Sequence, residues 1–151
     1  MELNLPTYSF KIKESEDKHL IFDEFRKKYV ALTPEEWVRQ NFTKYLVAEK
    51  GFPRSLIIIE KGLKLNNLQK RADILIYHNN QPLVLVECKA PSVKISQATF
   101  DQISRYNIVF KVPFLIVTNG INHFACWVDF KERNVNFLED IPNYKELTKS
   151  F

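Results

Sequence analysis

Apolar positions recur at two spacings along the chain, and these spacings predict where helices and strands lie. From residue 33 to residue 50 they follow the period of roughly 3.6 residues that is typical of a helix. Thr33, Pro34 and Glu36 open this segment in the pattern of a capping box, and Gly51 with Pro53 marks its end. We therefore predict a helix that begins at Thr33 and ends before Gly51.

Runs rich in Ile, Leu and Val predict the strands of a sheet. They cover residues 55–60, 72–78, 83–89, 114–118, 123–130 and 134–138. A second helix is predicted over 96–110, so a strand, a helix and a buried strand follow one another and form a right-handed crossover. The order αβββαβ with a trailing hairpin therefore predicts an α/β fold in which helices cover both faces of a mixed central sheet.

The predicted elements also divide the chain. Two short strands over 9–13 and 19–22 flank a charged turn over 11–18 and form an N-terminal β-hairpin extension within residues 1–32. A core over 33–141 and a C-terminal tail over 142–151 complete what we expect to be one globular domain.

Composition narrows the class of protein further. The 151 residues are 45% hydrophobic, enough for a core without a disulfide or a zinc site, and Cys88 and Cys126 are too far apart for either. We see no signal peptide and no apolar run of membrane-spanning length, so we expect a cytoplasmic protein without a membrane partner. A net charge of +4 mildly favours a polyanionic partner, and the absence of a Gly-rich phosphate loop argues against a motor or a kinase.

Three charged residues near the ends of neighbouring predicted strands form the main candidate site. A hairpin loop over 79–81 places Asp73 opposite Glu87, and any even register puts Asp73, Glu87 and Lys89 on one sheet face. Two carboxylates this close repel each other unless a cation lies between them. We therefore predict a site for Mg²⁺ or Mn²⁺, with Lys89 placed to orient the attacking water. A buried structural salt bridge is the alternative.

Four short motifs in this order carry a resemblance to a known family. They are Arg71-Ala72-Asp73, Val86-Glu87-Cys88-Lys89-Ala90-Pro91, Gln102-Ile103-Ser104-Arg105-Tyr106-Asn107 and Val117-Thr118-Asn119-Gly120. Over roughly residues 33–138 the chain resembles the N-terminal nuclease domain of the type I restriction enzyme R subunit, a group of the PD-(D/E)XK nuclease superfamily. The resemblance implies a three-layer α/β/α restriction-endonuclease-like fold and phosphodiester hydrolysis that depends on Mg²⁺, with Mn²⁺ as a substitute.

The resemblance assigns roles to residues of the central motifs. Asp73 and Glu87 match the metal ligands, the backbone carbonyl of Cys88 supplies a further ligand, and Lys89 matches the catalytic lysine. Ala72 replaces the proline of the family motif at a backbone position, which leaves metal ligation intact. The side chain of Cys88 itself is expected to fill the core.

Further residues are expected around this centre. Gln102 and Tyr106 match a Gln-x-x-x-Tyr motif and share one helix face, where they would bind substrate; an ordinary polar stripe is the alternative. Glu35 falls on the apolar side of the first helix, so we expect it to face the sheet and support the metal site; a first-turn acid that serves the helix dipole is the alternative. Arg71 is one of four basic residues that would line a phosphate track or form a solvated loop, together with Lys61, Lys64 and Lys70.

The combined interpretation is a small metal-dependent endonuclease whose partner is nucleic acid, above all DNA. Because no helicase motif is present, we expect a stand-alone version of the domain. One chain has one site, so cutting both strands would need a homodimer or two encounters, and partner subunits of a restriction or repair system are also compatible with it. A catalytically inactive binding or assembly module of the same fold and an RNA-directed nuclease remain alternatives.

Overall fold

The computed structural model describes residues 2–65 and 68–149, and within them the chain forms two β-sheets and three α-helices. The strands are β1 Ile12–Ser15, β2 Lys18–Asp23, β3 Lys28–Ala31, β4 Ile57–Leu65, β5 Leu68–His78, β6 Gln81–Cys88, β7 Phe114–Thr118, β8 His123–Asp129 and β9 Asn134–Leu138. The helices are α1 Pro34–Ala48, α2 Gln97–Phe110 and α3 Tyr144–Thr148. No helix in the described ranges is both long and apolar enough to cross a membrane.

The larger sheet is mixed, as the order of predicted elements indicated. Its strands follow the order β4-β5-β6-β7-β8-β9, and β6 and β7 pair in parallel while the other neighbours pair antiparallel. Helix α2 connects the two parallel strands, which is the crossover that parallel pairing requires. Strands β1, β2 and β3 form a separate antiparallel sheet.

Two apolar clusters on opposite faces of the larger sheet confirm the three-layer α/β/α architecture. Side chains of α1 pack on one face with alternate residues of the central strands, among them Phe42, Leu46, Ile74 and Val86. Side chains of α2 pack on the other face with the intervening residues, among them Phe100, Ile103, Leu75, Leu85 and Leu115. The parity of the strands therefore sorts their apolar side chains between the two helices.

Both long helices begin at the residues that the sequence indicated. The Thr33 hydroxyl accepts a hydrogen bond from the Glu36 N–H, and Ser96 caps α2 in a reciprocal pair with Thr99. The Glu36 carboxylate, however, accepts hydrogen bonds from Arg26, Arg39 and Gln40. The capping-box role expected of this side chain is therefore wrong, because two arginines provide stronger partners than a backbone N–H.

The β5–β6 hairpin has the expected register, but its loop is shorter than predicted and its pairing contains a bulge. Its loop is the two-residue turn Asn79-Asn80, both with positive φ, and not the predicted three residues 79–81. The tight turn pairs His78 with Gln81, and a bulge near Ile76 and Tyr77 then shifts the register, so that Ile74 pairs with Val86. The even register that the sequence argument required is thus present.

Three other expectations about elements need correction. The charged run 11–18 is mostly β1, and the turn itself is confined to Glu16 and Asp17, which have φ of 51° and 65°. Strand β3 and helix α3 were not predicted. The four basic residues expected in a loop lie instead on β4 and β5, because these two strands form one long hairpin; they are Lys61, Lys64, Lys70 and Arg71.

Candidate active site

The candidate site begins where the pairing of β5 and β6 ends. The last paired residues are Ile74 and Val86. Beyond them the backbone N–H of Cys88 donates a hydrogen bond to Asp73 Oδ2 at 2.7 Å. The Asp73 carboxylate therefore contacts the backbone at the end of β6. The residue it contacts, Cys88, lies between Glu87 and Lys89 in the sequence.

The backbone is irregular at Asp73, so side chains there do not alternate strictly between the two sheet faces. Ala72 and Leu75 both belong to the apolar cluster beneath α2, although strict alternation would place them on opposite faces. The facing residue on β4 is Glu60, whose φ is 52°, a left-handed conformation that few residues with a side chain adopt. The alternation of residues along β5 therefore does not determine the direction of the Asp73 side chain. Its hydrogen bond with the Cys88 N–H does.

Glu87, Cys88 and Lys89 lie at the end of a strand with neighbours on both sides. Glu87 is buried, with 5% of its surface exposed. Burial raises the pKa of the Cys88 thiol well above its ordinary value, and the negative charge of Asp73 adds to this effect. Cys88 packs in the core, as expected. Lys89 is half-buried, and its backbone N–H donates to the carbonyl of Thr118 on β7 at 2.8 Å.

Glu35 lies in the first turn of α1 and is solvent-exposed, so the expectation that it faces the sheet is wrong; it is nevertheless electrostatically linked to the same centre. Partial burial raises the pKa of its carboxyl, and the charge of Asp73 raises it further, whereas Lys89 and Arg39 lower it. Glu35 also lines an open groove of about 450 Å³ that runs past Ala90, the residue after Lys89. The groove brings the start of α1 and the end of β6 together.

The remaining predicted residues are Arg71 on β5 and Gln102 and Tyr106 on α2. Arg71 is exposed and forms an ion pair with Glu60 at 3.2 Å, and Glu60 lines the same groove. Gln102 is exposed on α2. The backbone of Tyr106 continues α2, but its side chain lies outside the described part of the structure.

The donor chemistry at the β5–β6 end suits a hard cation, because Asp73 and Glu87 offer carboxylate oxygens. Across the described residues, however, no group of three or more His, Cys, Asp or Glu side chains is arranged to hold a metal ion. Any cation here would have to draw its remaining ligands from backbone carbonyls and water.

A buried network of ion pairs beside the groove was missed by the sequence argument. Arg26 contacts Asp23, Glu36 and Glu60, and Arg39 contacts the same three carboxylates. These residues join the turn between β2 and β3 to α1 and β4. The Glu36-x-x-Arg39 spacing on the buried part of α1 was the one signal of this network in the sequence. Arg26 and Glu60 are 34 residues apart, so no local pattern connects them.

The network and the candidate site shift acid pKa values in opposite directions. Burial pushes the pKa of Asp23 upward, but hydrogen bonds from Arg26 and from the backbone N–H of Phe25 outweigh it, so the net pKa is lowered. The pKa of Glu35 is raised. Asp23 is thus held as a carboxylate by its partners, while Glu35 lies where negative charge accumulates.

A six-stranded mixed sheet between helices, with acids and a lysine at the end of neighbouring strands, defines an α/β protein with a restriction-endonuclease-like fold. Residues 34–142 match the family described as the type I restriction enzyme R protein N terminus (HSDR_N). The chain belongs to this family.

Similarity to a solved structure agrees with this family membership. The chain is similar to a fragment described as an HsdR subunit of a type I restriction enzyme from Vibrio vulnificus YJ016, with 25% sequence identity and a TM-score of 0.56. The similarity covers 78% of this chain and 25% of that one, so the chain spans about a quarter of that structure. No curated protein matches the chain.

Proposed function

We propose that the chain is a metal-dependent nuclease that hydrolyses DNA phosphodiester bonds in the context of a restriction system. The observation that carries this proposal is the hydrogen bond from Cys88 N–H to Asp73, which places one carboxylate at the strand end that bears Glu87 and Lys89. Membership of the restriction enzyme R protein family supports the same reading. The similar HsdR fragment supports the restriction context.

In this proposal Asp73 and Glu87 hold Mg²⁺ or Mn²⁺, with the backbone carbonyl of Cys88 as a further ligand. A bound divalent ion supplies Lewis acidity toward the phosphoryl oxygen and lowers the pKa of a bound water. Lys89 orients the attacking water and offsets negative charge at the phosphorus. Glu35, whose pKa is raised by partial burial and by the charge of Asp73, lines the same groove and is proposed to support the metal site.

The substrate would enter along the groove between α1 and the end of β6. Arg71 is exposed at the Glu60 side of this groove and would contact a phosphate there. Gln102 and Tyr106 are proposed to contact the substrate from α2. A homodimer or partner subunits would supply the second site that a double-strand break requires.

Cleavage of supercoiled plasmid tests the proposal. Purified protein with Mg²⁺ or Mn²⁺ should nick the plasmid, EDTA should abolish nicking, and Lys89→Ala and Glu87→Gln should each reduce the rate about 100-fold or more. Lys94→Ala is the matched control, since Lys94 is an exposed lysine five residues beyond Lys89 and should keep full activity. Wild-type activity in Lys89→Ala would show that the cutting arises elsewhere.

A binding or assembly module without catalytic activity is the second candidate, and one observation favours it. Within the residues that the structure describes, no three acidic, cysteine or histidine side chains converge on a metal position. Calorimetric titration with Mn²⁺ separates the two candidates. Heat that disappears in both Asp73→Asn and Glu87→Gln supports the nuclease, whereas a folded wild-type protein that binds no Mn²⁺ supports the module.

A further inference from the structure

The N-terminal sheet has one face on which lysines and aromatic rings alternate. Pairing of β1 with β2 and of β2 with β3 brings these side chains together, because alternate residues of paired strands share a face. We call this surface the basic aromatic face; its members are Lys11, Lys13, Lys18, Leu20, Phe22 and Tyr29. The opposite face carries Ile21 and Asp23, which are buried.

Contacts within this face hold two of its lysines, Lys11 and Lys13, in place. Lys13 Nζ lies 4.0 Å from the centroid of the Tyr29 ring, and Lys11 Nζ lies 5.7 Å from that of Phe22. The two rings contact each other edge to face, with centroids 5.2 Å apart. All three lysines are exposed, and Tyr29 keeps 37% of its surface exposed. The rings therefore position the charges of Lys11 and Lys13, and all three lysines remain open to solvent.

The strands contribute no carboxylate to this face. Glu14 lies on the opposite side, where it pairs with His19 at 3.5 Å, and Asp23 is buried against Arg26 and Arg39. Glu16 and Asp17 are confined to the turn at one end. A row of exposed positive charges without acids between them is complementary to a polyanion.

The sheet is fixed to the rim of the candidate active site. Its β2–β3 turn carries Arg26, which donates hydrogen bonds to Glu36 and Glu60, and both of these acids line the groove beside Glu35. The face precedes the residues that match the family, which begin at residue 34. It is therefore a feature of this chain that the family match does not account for.

We propose that the basic aromatic face binds the phosphate backbone of a DNA strand next to the candidate active site. Lys11, Lys13 and Lys18 contact successive phosphates, and the exposed surface of Tyr29 accepts a base. The choice of DNA rests on the proposed function, but binding by this face does not require that the chain cleaves.

Fluorescence anisotropy with a labelled single-stranded oligonucleotide in EDTA tests the proposal without cleavage. The triple variant Lys11→Gln/Lys13→Gln/Lys18→Gln should bind about tenfold more weakly or worse. Its plot of log affinity against log salt should lose roughly 2 units of slope, at about 0.7 per phosphate contact. The matched control removes the same charge from exposed lysines elsewhere, as Lys131→Gln/Lys145→Gln/Lys149→Gln, and should bind like wild type.

A second measurement uses the unaltered protein. Bound oligonucleotide should protect Lys11, Lys13 and Lys18 from acetylation, as read by mass spectrometry, and should leave Lys131 and Lys145 reactive. Equal loss of affinity in the two triple variants, or equal acetylation with and without DNA, would overturn the proposal. Failure of the proposed nuclease has a different signature, because these affinities are measured in EDTA: the triple variant of the basic aromatic face should lose affinity whether or not wild type cuts DNA in Mg²⁺.

Discussion

Glu35 and Glu36 are neighbours in the first turn of α1, yet they belong to two clusters of opposite character. Glu36 is buried and accepts hydrogen bonds from Arg26 and Arg39. Glu35 is exposed at the groove, and both its partial burial and Asp73 raise its pKa. Adjacent residues of the same type thus serve different purposes because the helix turns their side chains toward different partners.

The comparison separates charges that are paired inside the fold from a charge that is exposed at a groove. In the network around Glu36, the guanidinium groups of Arg26 and Arg39 contact three carboxylates, and Arg71 also pairs with one of them, Glu60. Hydrogen bonds from Arg26 help to lower the pKa of Asp23. At the β5–β6 end, the charge of Asp73 helps to raise the pKa of Glu35 and that of the Cys88 thiol. Shifted pKa values in a groove are a recognised mark of functional sites, whereas a fully paired buried network is not.

Arg39→Met should have the largest effect of the substitutions that test this comparison. It removes one guanidinium from the network and leaves buried carboxylates with too little positive charge. We expect the free energy of unfolding to fall by about 3–5 kcal/mol, measured by urea denaturation.

The control for this substitution is Arg105→Met, at an exposed arginine of α2, which should change the free energy of unfolding by no more than about 0.5 kcal/mol. A similarly small change in Arg39→Met would contradict the structural role assigned to the network.

Asp73→Asn should separate charge from hydrogen bonding at the candidate site. The amide oxygen can still accept from the Cys88 N–H, so we expect the free energy of unfolding to stay within about 1 kcal/mol of wild type. The pKa of Glu35 should fall, because the negative charge of Asp73 is one cause of its elevation. An NMR titration of the Glu35 carboxyl measures this.

Asp101→Asn on the exposed face of α2 is the control, and it should leave the pKa of Glu35 unchanged. If Asp73→Asn also leaves it unchanged, the two acids do not share one electrostatic neighbourhood, and the assignment of Glu35 to the site fails.

The sequence predicted the parts of this fold that depend on local patterns. Phe114–Thr118 is a continuous apolar run and is the buried strand β7, and Ser96 marks the start of α2 through its own hydrogen bonds. Strand β3 was missed because Lys28–Ala31 is short and has no strict alternation of apolar and polar residues. Its stability comes from pairing with β2, which a local pattern does not reveal.

The site illustrates the same limit. The spacing of Glu87 and Lys89 was readable from the sequence, and so was the even register that pairs Ile74 with Val86. The sequence did not reveal the irregular backbone at Asp73 or the ion pairs of Arg26 with Glu36 and Glu60. Both depend on side chains that meet only in the folded chain. These long-range contacts decide which of the charged residues are structural.

The smallest expected effect concerns the pH dependence of stability. Because the pKa of Glu35 is raised by folding, its ionised form opposes folding at neutral pH, and this cost disappears as the pH falls below the unfolded value of about 4.3. Asp23 has the opposite sign, because its lowered pKa adds stability above the unfolded value of about 3.9 that is lost as the pH falls through the folded pKa.

Glu35→Gln should therefore be slightly more stable than wild type at pH 7, by a few tenths of a kcal/mol, roughly 0.5 at most, since solvent screens an exposed carboxylate. The difference should vanish below about pH 3, where both proteins carry a neutral group at this position in the folded and the unfolded state. Urea denaturation at several pH values measures it, with Glu132→Gln, at an exposed acid in the β8–β9 turn, as the control. If Glu35→Gln were less stable than wild type at pH 7, favourable contacts would hold the Glu35 carboxylate, as they hold that of Glu36. The contrast between the two neighbouring acids would then be wrong.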